Sequence, residues 1–213
     1  MNSFTVTAIS QIDLWVLGFM ASESEVALYG AASRVASLAT MPLMVFGIIV
    51  GPFFADYHPD EKPKECEAML RKGATIAGLP SFAILGLLCI GAPWFLTLLA
   101  GEYYSAGASI LIILAIGHAA SIWTGAADQL LLLTNKQRLL LNTSLLATAI
   151  LVALGLLFSS LWQGVGIAIA VTLSRAVQRY LLAFFVLKAY GISASFSPRI
   201  ALRILRHPRA LLR

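Results

Sequence analysis

The chain is short of charge. Only 12% of its 213 residues are Asp, Glu, Lys or Arg, against roughly 25% in a soluble globular domain. With 59% hydrophobic residues and a mean hydropathy of +0.86, the sequence has too little polar surface to solvate an ordinary water-soluble domain. Cysteine is equally scarce: Cys66 and Cys89 are the only two and form neither a CxxC pair nor a metal-ligand spacing. A disulfide framework and a zinc site are therefore not expected, and two free thiols are. Long polar stretches are missing as well. The one sizeable example, 56–67, sets His58 among acids, but Pro59, Pro63 and alternating charge describe a solvated loop running into a helix start. Neither metal-ligand nor catalytic spacing is present there.

What is present is a ladder of uncharged runs. Residues 35–55, 73–101 and 103–127 carry no charge, and 139–174 form a run of 36. About 20 apolar residues cross the hydrocarbon of a bilayer as a helix, so the last run is too long for one crossing. It is interrupted by Ser159-Ser160-Leu161-Trp162-Gln163-Gly164, a polar, Gly-ended stretch with one Trp that predicts an interfacial turn. Six transmembrane helices follow, at about 4–20, 26–55, 72–100, 104–134, 139–158 and 165–188. The first is the weakest, diluted by Thr5, Thr7, Ser10, Gln11 and Asp13. It is not a signal peptide, having no basic n-region and no continuous apolar stretch. The expected class is an all-α integral membrane protein, with a six-helix unit over 1–190 and a basic tail over 191–213.

Basic residues avoid every second connection. Ser22–Glu25, Gly101–Tyr104 and the 159–164 turn contain none, whereas Lys62, Lys64, Arg71, Lys72, Lys136, Arg138, Lys188, Arg199, Arg203, Arg206, Arg209 and Arg213 occupy the others. By the positive-inside rule both termini are cytoplasmic. The basic-free connections are too short to carry a platform on which a sugar donor and acceptor could meet beside positioned acids and bases. Enzymatic activity is not expected, nor is a cofactor.

Six ionisable residues remain inside the spans: Asp13, Arg34, His118, Asp128, Arg175 and Arg179. Charge in hydrocarbon costs about 2.5–3.5 kcal/mol on insertion scales, and such residues usually face a bundle interior or a watery cavity. Asp13 and Arg34 are equidistant from the first turn, each about 15 Å away, so antiparallel neighbours would place them at one depth as an ion pair. Two roles stay open for that pair, fixing the helix hairpin or coupling transport. Arg175 and Arg179 share a face of the sixth helix, about 16 and 22 Å from the preceding turn. Asp128 is the nearest acid in depth to Arg179, which alternatively snorkels to the interface. Arg175 has no evident acid and suits phosphate or pyrophosphate. His118, near the midplane, either titrates or is simply hydrogen-bonded. Pro42, Pro52, Pro80 and Pro93 interrupt helices, and Gly47-Ile-Ile-Val-Gly51 offers a close-packing face.

Particular segments carry a family likeness. They are Asp13-Leu-Trp-Val-Leu-Gly18, Glu25-Val-Ala-Leu-Tyr-Gly-Ala-Ala-Ser-Arg34, Pro52, Leu99-Ala-Gly-Glu-Tyr-Tyr-Ser-Ala106, Gly125-Ala-Ala-Asp-Gln-Leu-Leu with Asn135-Lys136, and Trp162-Gln-Gly-Val-Gly-Ile-Ala. In that order, over nearly the whole chain, the sequence resembles the C-terminal half of bacterial polysaccharide-biosynthesis membrane proteins. These are oligosaccharide flippases related to the multidrug MATE exporters of the MOP superfamily. The resemblance implies one MATE-like lobe of a two-lobed transporter that moves undecaprenyl-pyrophosphate-linked sugars across the bacterial cytoplasmic membrane. It implies cavity roles for Arg34, Arg175 and Arg179, with Arg34 best supported by its local motif. The chain departs from the pattern in having one lobe, so a missing N-terminal six-helix half or a homodimer is the expected partner, beside membrane lipids and the lipid-linked oligosaccharide. A MATE-type drug exporter lobe and a non-transporting subunit or remnant are the alternatives.

In the tail, Arg199, Arg203, Arg206 and Arg213 project on one side of a helix and Ile200, Ala201, Ile204 and Leu205 on the other, with Leu202 an exception and Pro208 a break. Such a helix would lie on the anionic inner leaflet. Since topology already explains the basic residues, nucleic acid is not an expected partner.

Overall fold

The computed structural model describes residues 11–53, 62–134 and 136–206, and among these it contains helices and no strand. The elements are α1 (Ile12–Met20), α2 (Glu23–Ser37), a 3-10 turn (Leu38–Thr40), α3 (Met41–Phe53), α4 (Pro63–Ile90), α5 (Ala92–Ala100), a second 3-10 turn (Glu102–Gly107), α6 (Ala108–Thr124), α7 (Ala127–Leu133), α8 (Gln137–Tyr190) and α9 (Pro198–Arg206). The start of the first expected span (4–10), the acidic loop with His58, Asn135, and the tail positions Pro208, Arg209 and Arg213 lie outside the described residues.

Among the described residues four stretches are long and apolar enough to cross a membrane: Glu23–Ile49, Pro63–Ile90, Glu102–Thr124 and Gln137–Tyr190. The outward surface of these stretches and of the short α1 and α5 beside them is apolar, with Phe19, Ile48, Ile90, Trp94, Leu98, Leu161 and Phe184 all exposed. Water could not cover such a surface without a large cost, and lipid tails can. The chain is an all-α, membrane-embedded protein.

Helix breaks fall where backbone chemistry puts them. The 3-10 turn at Leu38–Thr40 precedes Pro42, whose ring cannot follow a regular helical turn without disturbing its carbonyl. Gly91 separates α4 from α5 just ahead of Pro93. Pro80, in contrast, sits inside an unbroken α4. α4 begins at Pro63, a favoured first helical position, so it starts nine residues before the expected boundary at 72 and takes in the last five residues of the polar run. A further break at Gly125–Ala126 divides the expected fourth span into α6 and α7.

At 54 residues α8 would reach about 80 Å if straight. It is two antiparallel arms instead. Trp162 and Gln163 leave helical geometry, Gln163 with φ +46°. Gln178 meets Ser144, Ile167 rests on Gly155, and Gly166 abuts the backbone of Phe158, so facing residues keep a nearly constant sum of numbers. The turn is shorter than the predicted 159–164, since Ser159 and Ser160 remain helical.

The ends of the bundle differ in charge. At one end Gly164 N–H donates to Glu25 Oε2 at 3.2 Å, joining the 159–164 turn to the start of α2. Gly107, after the Gly101–Tyr104 connection, lies against the Leu28 carbonyl. At the other end Lys136 Nζ stands 4.3 Å from the centre of the Tyr190 ring, and Arg71 donates to Ser197. Between the ends, one core gathers Leu17, Tyr29, Leu96, Leu111, Leu114 and Ile167, and a second gathers Leu70, Leu130, Leu131, Leu182 and Val186.

Candidate functional site

The second arm of α8 approaches α6 through a glycine. A Cβ on Gly117 would fall 2.7 Å from Thr172 Oγ1 and 3.1 Å from Thr172 Cα, so no larger residue fits without separating the helices. Thr172 Oγ1 uses the closeness to donate to the Ile113 carbonyl at 2.9 Å. One position beyond Gly117 is His118, and three beyond Thr172 is Arg175. Close packing of the two backbones therefore brings these side chains together, Arg175 Nη1 standing 3.1 Å from His118 Nε2 and 3.4 Å from Nδ1.

One helical turn further, Arg179 Nη1 meets Asp128 Oδ2 at 2.9 Å. Both side chains keep partial exposure, 25% and 30%. Asp128 reaches this position because α7 restarts after Gly125, whose φ of +66° is available to glycine and strained for an L side chain. The pairing matches the depth argument from sequence.

His118, Asp128, Arg175 and Arg179 line one cavity of about 330 Å³, together with Thr40, Leu43 and Met44 on the wall formed by the first 3-10 turn and α3, and with Ser121 and Gln129. Among the described residues its fixed charges are two guanidiniums and one carboxylate. A guanidinium offers five N–H donors in a planar fork, and Arg175 forms no ion pair among the described residues. The arrangement can hold an anion with several acceptor oxygens.

Arg175 also lines a second cavity of about 240 Å³ on its other side, with Asp13, Ser144, Thr148, Ser174 and Gln178. The sequence assigned Asp13 to Arg34, and the structure corrects this. Asp13 Oδ2 accepts from the fully buried Tyr29 hydroxyl at 2.6 Å, and Asp13 Oδ1 accepts the Leu14 N–H at 3.0 Å. Arg34 forms no ion pair among the described residues and is exposed, lining a separate, largely apolar groove of about 710 Å³ with Leu14, Leu99 and Tyr104. The cause is azimuth. Residue 34 lies five positions after Tyr29, about 140° round the same helix, so equal depth does not bring it to Asp13's side.

Sequence reasoning missed Tyr29, Ser144, Gln129 and Gln178. The spacing of Gln178 from Arg175, three residues, was the available signal for a polar face. Gly47 does admit a close neighbour, with the Gln129 side chain standing 3.2–3.3 Å from where its Cβ would be. Among the described residues no group of three His, Cys, Asp or Glu could hold a metal ion.

Compared with protein-family models, curated proteins and solved structures, the chain matches none.

Proposed function

We propose that the chain is one six-span lobe of a transporter, with both ends cytoplasmic, that carries a lipid-linked, pyrophosphate-bearing oligosaccharide across the bacterial cytoplasmic membrane during cell-surface polysaccharide synthesis. The observation that carries this reading is Arg175 and Arg179, one helical turn apart, lining one cavity in which, among the described residues, Asp128 alone offsets their charge. Two guanidiniums at that spacing suit a diphosphate, whose two phosphoryl groups present acceptors to both forks. The sorting of basic residues to one end of the bundle supports the orientation, and the sequence likeness to oligosaccharide flippases supports the substrate class. A second lobe, from a preceding six-helix half or another copy, would close the cavity. A cavity richer in acids would instead suit the exporter of cationic drugs.

The Arg179–Asp128 pair favours one rival, a non-transporting subunit whose buried charges only neutralise each other. Reconstitution separates the two. The chain is placed in proteoliposomes with and without a cognate first lobe, and the passage of a fluorescent lipid-linked sugar is followed by its loss of access to an external quencher. Flipping is expected only with both lobes, and a fall of about tenfold or more, some 1.4 kcal/mol, in Arg175→Ala and Arg179→Ala but not in Arg34→Ala. Undiminished flipping by folded Arg175→Ala and Arg179→Ala proteins would overturn the assignment.

A further inference from the structure

The segment after α8 is strapped across α4 and α6. Phe196 N–H donates to the Trp123 carbonyl at 2.9 Å. The Phe196 ring fills the notch left by Gly78, where a Cβ would come within 2.7 Å of it, and stands edge-on to Phe82 at 5.2 Å. The buried Ser197 follows, its N–H donating to Thr75 Oγ1 at 3.1 Å and its Oγ accepting from Arg71 Nη2 at 3.4 Å. α9 therefore begins in a fixed place, against the first turns of α4.

Between α4 and α9 this leaves a groove of about 350 Å³ lined by Lys64, Glu67, Ala68, Arg71, Lys72 and Ile200. Among the described residues three bases face one acid there, and that acid is already engaged, Glu67 Oε1 accepting from Arg71 Nη1 at 3.2 Å. Arg71 Nε is buried and has no hydrogen-bond partner among the described residues. The outer face of α9 continues the charge. Arg199, Leu202, Arg203 and Arg206 are all exposed at helical spacing, while Ala201 is buried. Lys72 is the last charge before the uncharged run 73–101, so the groove lies where the hydrocarbon ends.

We infer that the α4–α9 groove binds the phosphate headgroup of an anionic phospholipid in the adjoining leaflet, with Leu202 set among its acyl chains. Charge complementarity selects the headgroup, and position at the end of a membrane-crossing helix selects a lipid over a soluble anion. The inference rests on membrane embedding alone and stands whether or not the chain transports.

The test uses the full chain purified in a zwitterionic detergent, with thermal unfolding followed as lipid is added. Phosphatidylglycerol is expected to raise the midpoint at concentrations where phosphatidylcholine and inorganic phosphate do not. In a Lys64→Gln/Lys72→Gln/Arg203→Gln protein the half-saturating phosphatidylglycerol concentration should rise by about tenfold or more. The charge-keeping Lys64→Arg/Lys72→Arg/Arg203→Lys protein should respond like the parent. Arg203→Gln alone, a change at an exposed side chain, should still raise the half-saturating concentration several-fold if the triple variant does not fold. Equal stabilisation by the two lipids, an unchanged response in the Gln variants, or full reproduction of the effect by inorganic phosphate would each overturn the proposal.

Discussion

Arg175 Nη1 stands 3.1 Å from His118 Nε2. A guanidinium can only donate, so a hydrogen bond here requires the imidazole to present its hydrogen-free nitrogen to Arg175. The contact holds Arg175 between two cavities, with Asp128 and Arg179 in one and Asp13 in the other. A single side chain thereby joins the polar interior of α6, α7 and α8 to that of α1.

Removing the acceptor should leave the guanidinium half-buried and under-satisfied. His118→Leu is expected to lower stability by about 1–3 kcal/mol, the usual cost of stranding a buried donor. His118→Gln, which retains an acceptor oxygen, should recover much of that loss. Unfolding of the detergent-solubilised protein measures both. Equal losses in the two variants would mean that imidazole packing, not the hydrogen bond, matters at this position.

The Arg179–Asp128 pair invites a double-mutant cycle. Side chains in contact couple by about 0.5–3 kcal/mol, and partial exposure of both partners places this pair toward the lower end because water screens it. Asp128→Asn and Arg179→Gln should each destabilise, and the double variant should lose less than their sum. Strict additivity in reversible unfolding would show that the 2.9 Å contact stores no coupling energy. If the proposed transport reading holds, Asp128→Asn should also tighten binding of a soluble diphosphate, since it releases Arg179 for the anion.

Much of the fold was legible because composition and charge are one-dimensional signals. Uncharged runs located the helices, the basic-free connections foretold which turns meet, and depth along a helix paired Asp128 with Arg179. Azimuth was not legible. Asp13 and Arg34 are equally far along the chain from the first turn, yet Asp13 bonds Tyr29, because rotation about α2 depends on which face the rest of the bundle buries. The Gly117–Thr172 approach escaped for a similar reason: a small residue at a packing contact looks the same in sequence as one facing lipid. The Gly125 break had no proline to announce it, and its positive φ emerges only from the chain's need to redirect α7 toward α8.

That break gives a third prediction. Gly125 combines φ +66° with ψ −135°, and an added Cβ would run into the Ala194 carbonyl and lie 2.9 Å from the Ala74 Cβ. Backbone in so sparsely populated a region costs an L residue about 1–3 kcal/mol, and the clash adds to it by pushing the 191–197 strap off α4. Gly125→Ala should therefore lower the unfolding midpoint and expose the strap to limited proteolysis. A variant at an ordinary helical glycine with open space, Gly86→Ala, is the control and should be neutral or slightly stabilising. Unchanged proteolysis of Gly125→Ala would detach the strap from this glycine.

Gln163 is the only non-glycine residue with positive φ among the described residues, at +46°, and its side chain is exposed. With ψ −123° it lies outside the left-handed helical well, in sparsely populated backbone that costs an L residue of order 1–3 kcal/mol, while glycine enters it freely but gives up about 0.5–1 kcal/mol of chain entropy on folding. The difference favours Gln163→Gly by up to about 2 kcal/mol, since no packing is lost at an exposed position. The following Gly164 cannot share the strain, because it is buried and its N–H is committed to Glu25 at 3.2 Å. Gln163→Ala separates conformation from side-chain chemistry: it keeps the Cβ and should bring no gain. A midpoint raised equally by alanine and glycine would locate the benefit in removal of the glutamine amide, and the turn would then be unstrained.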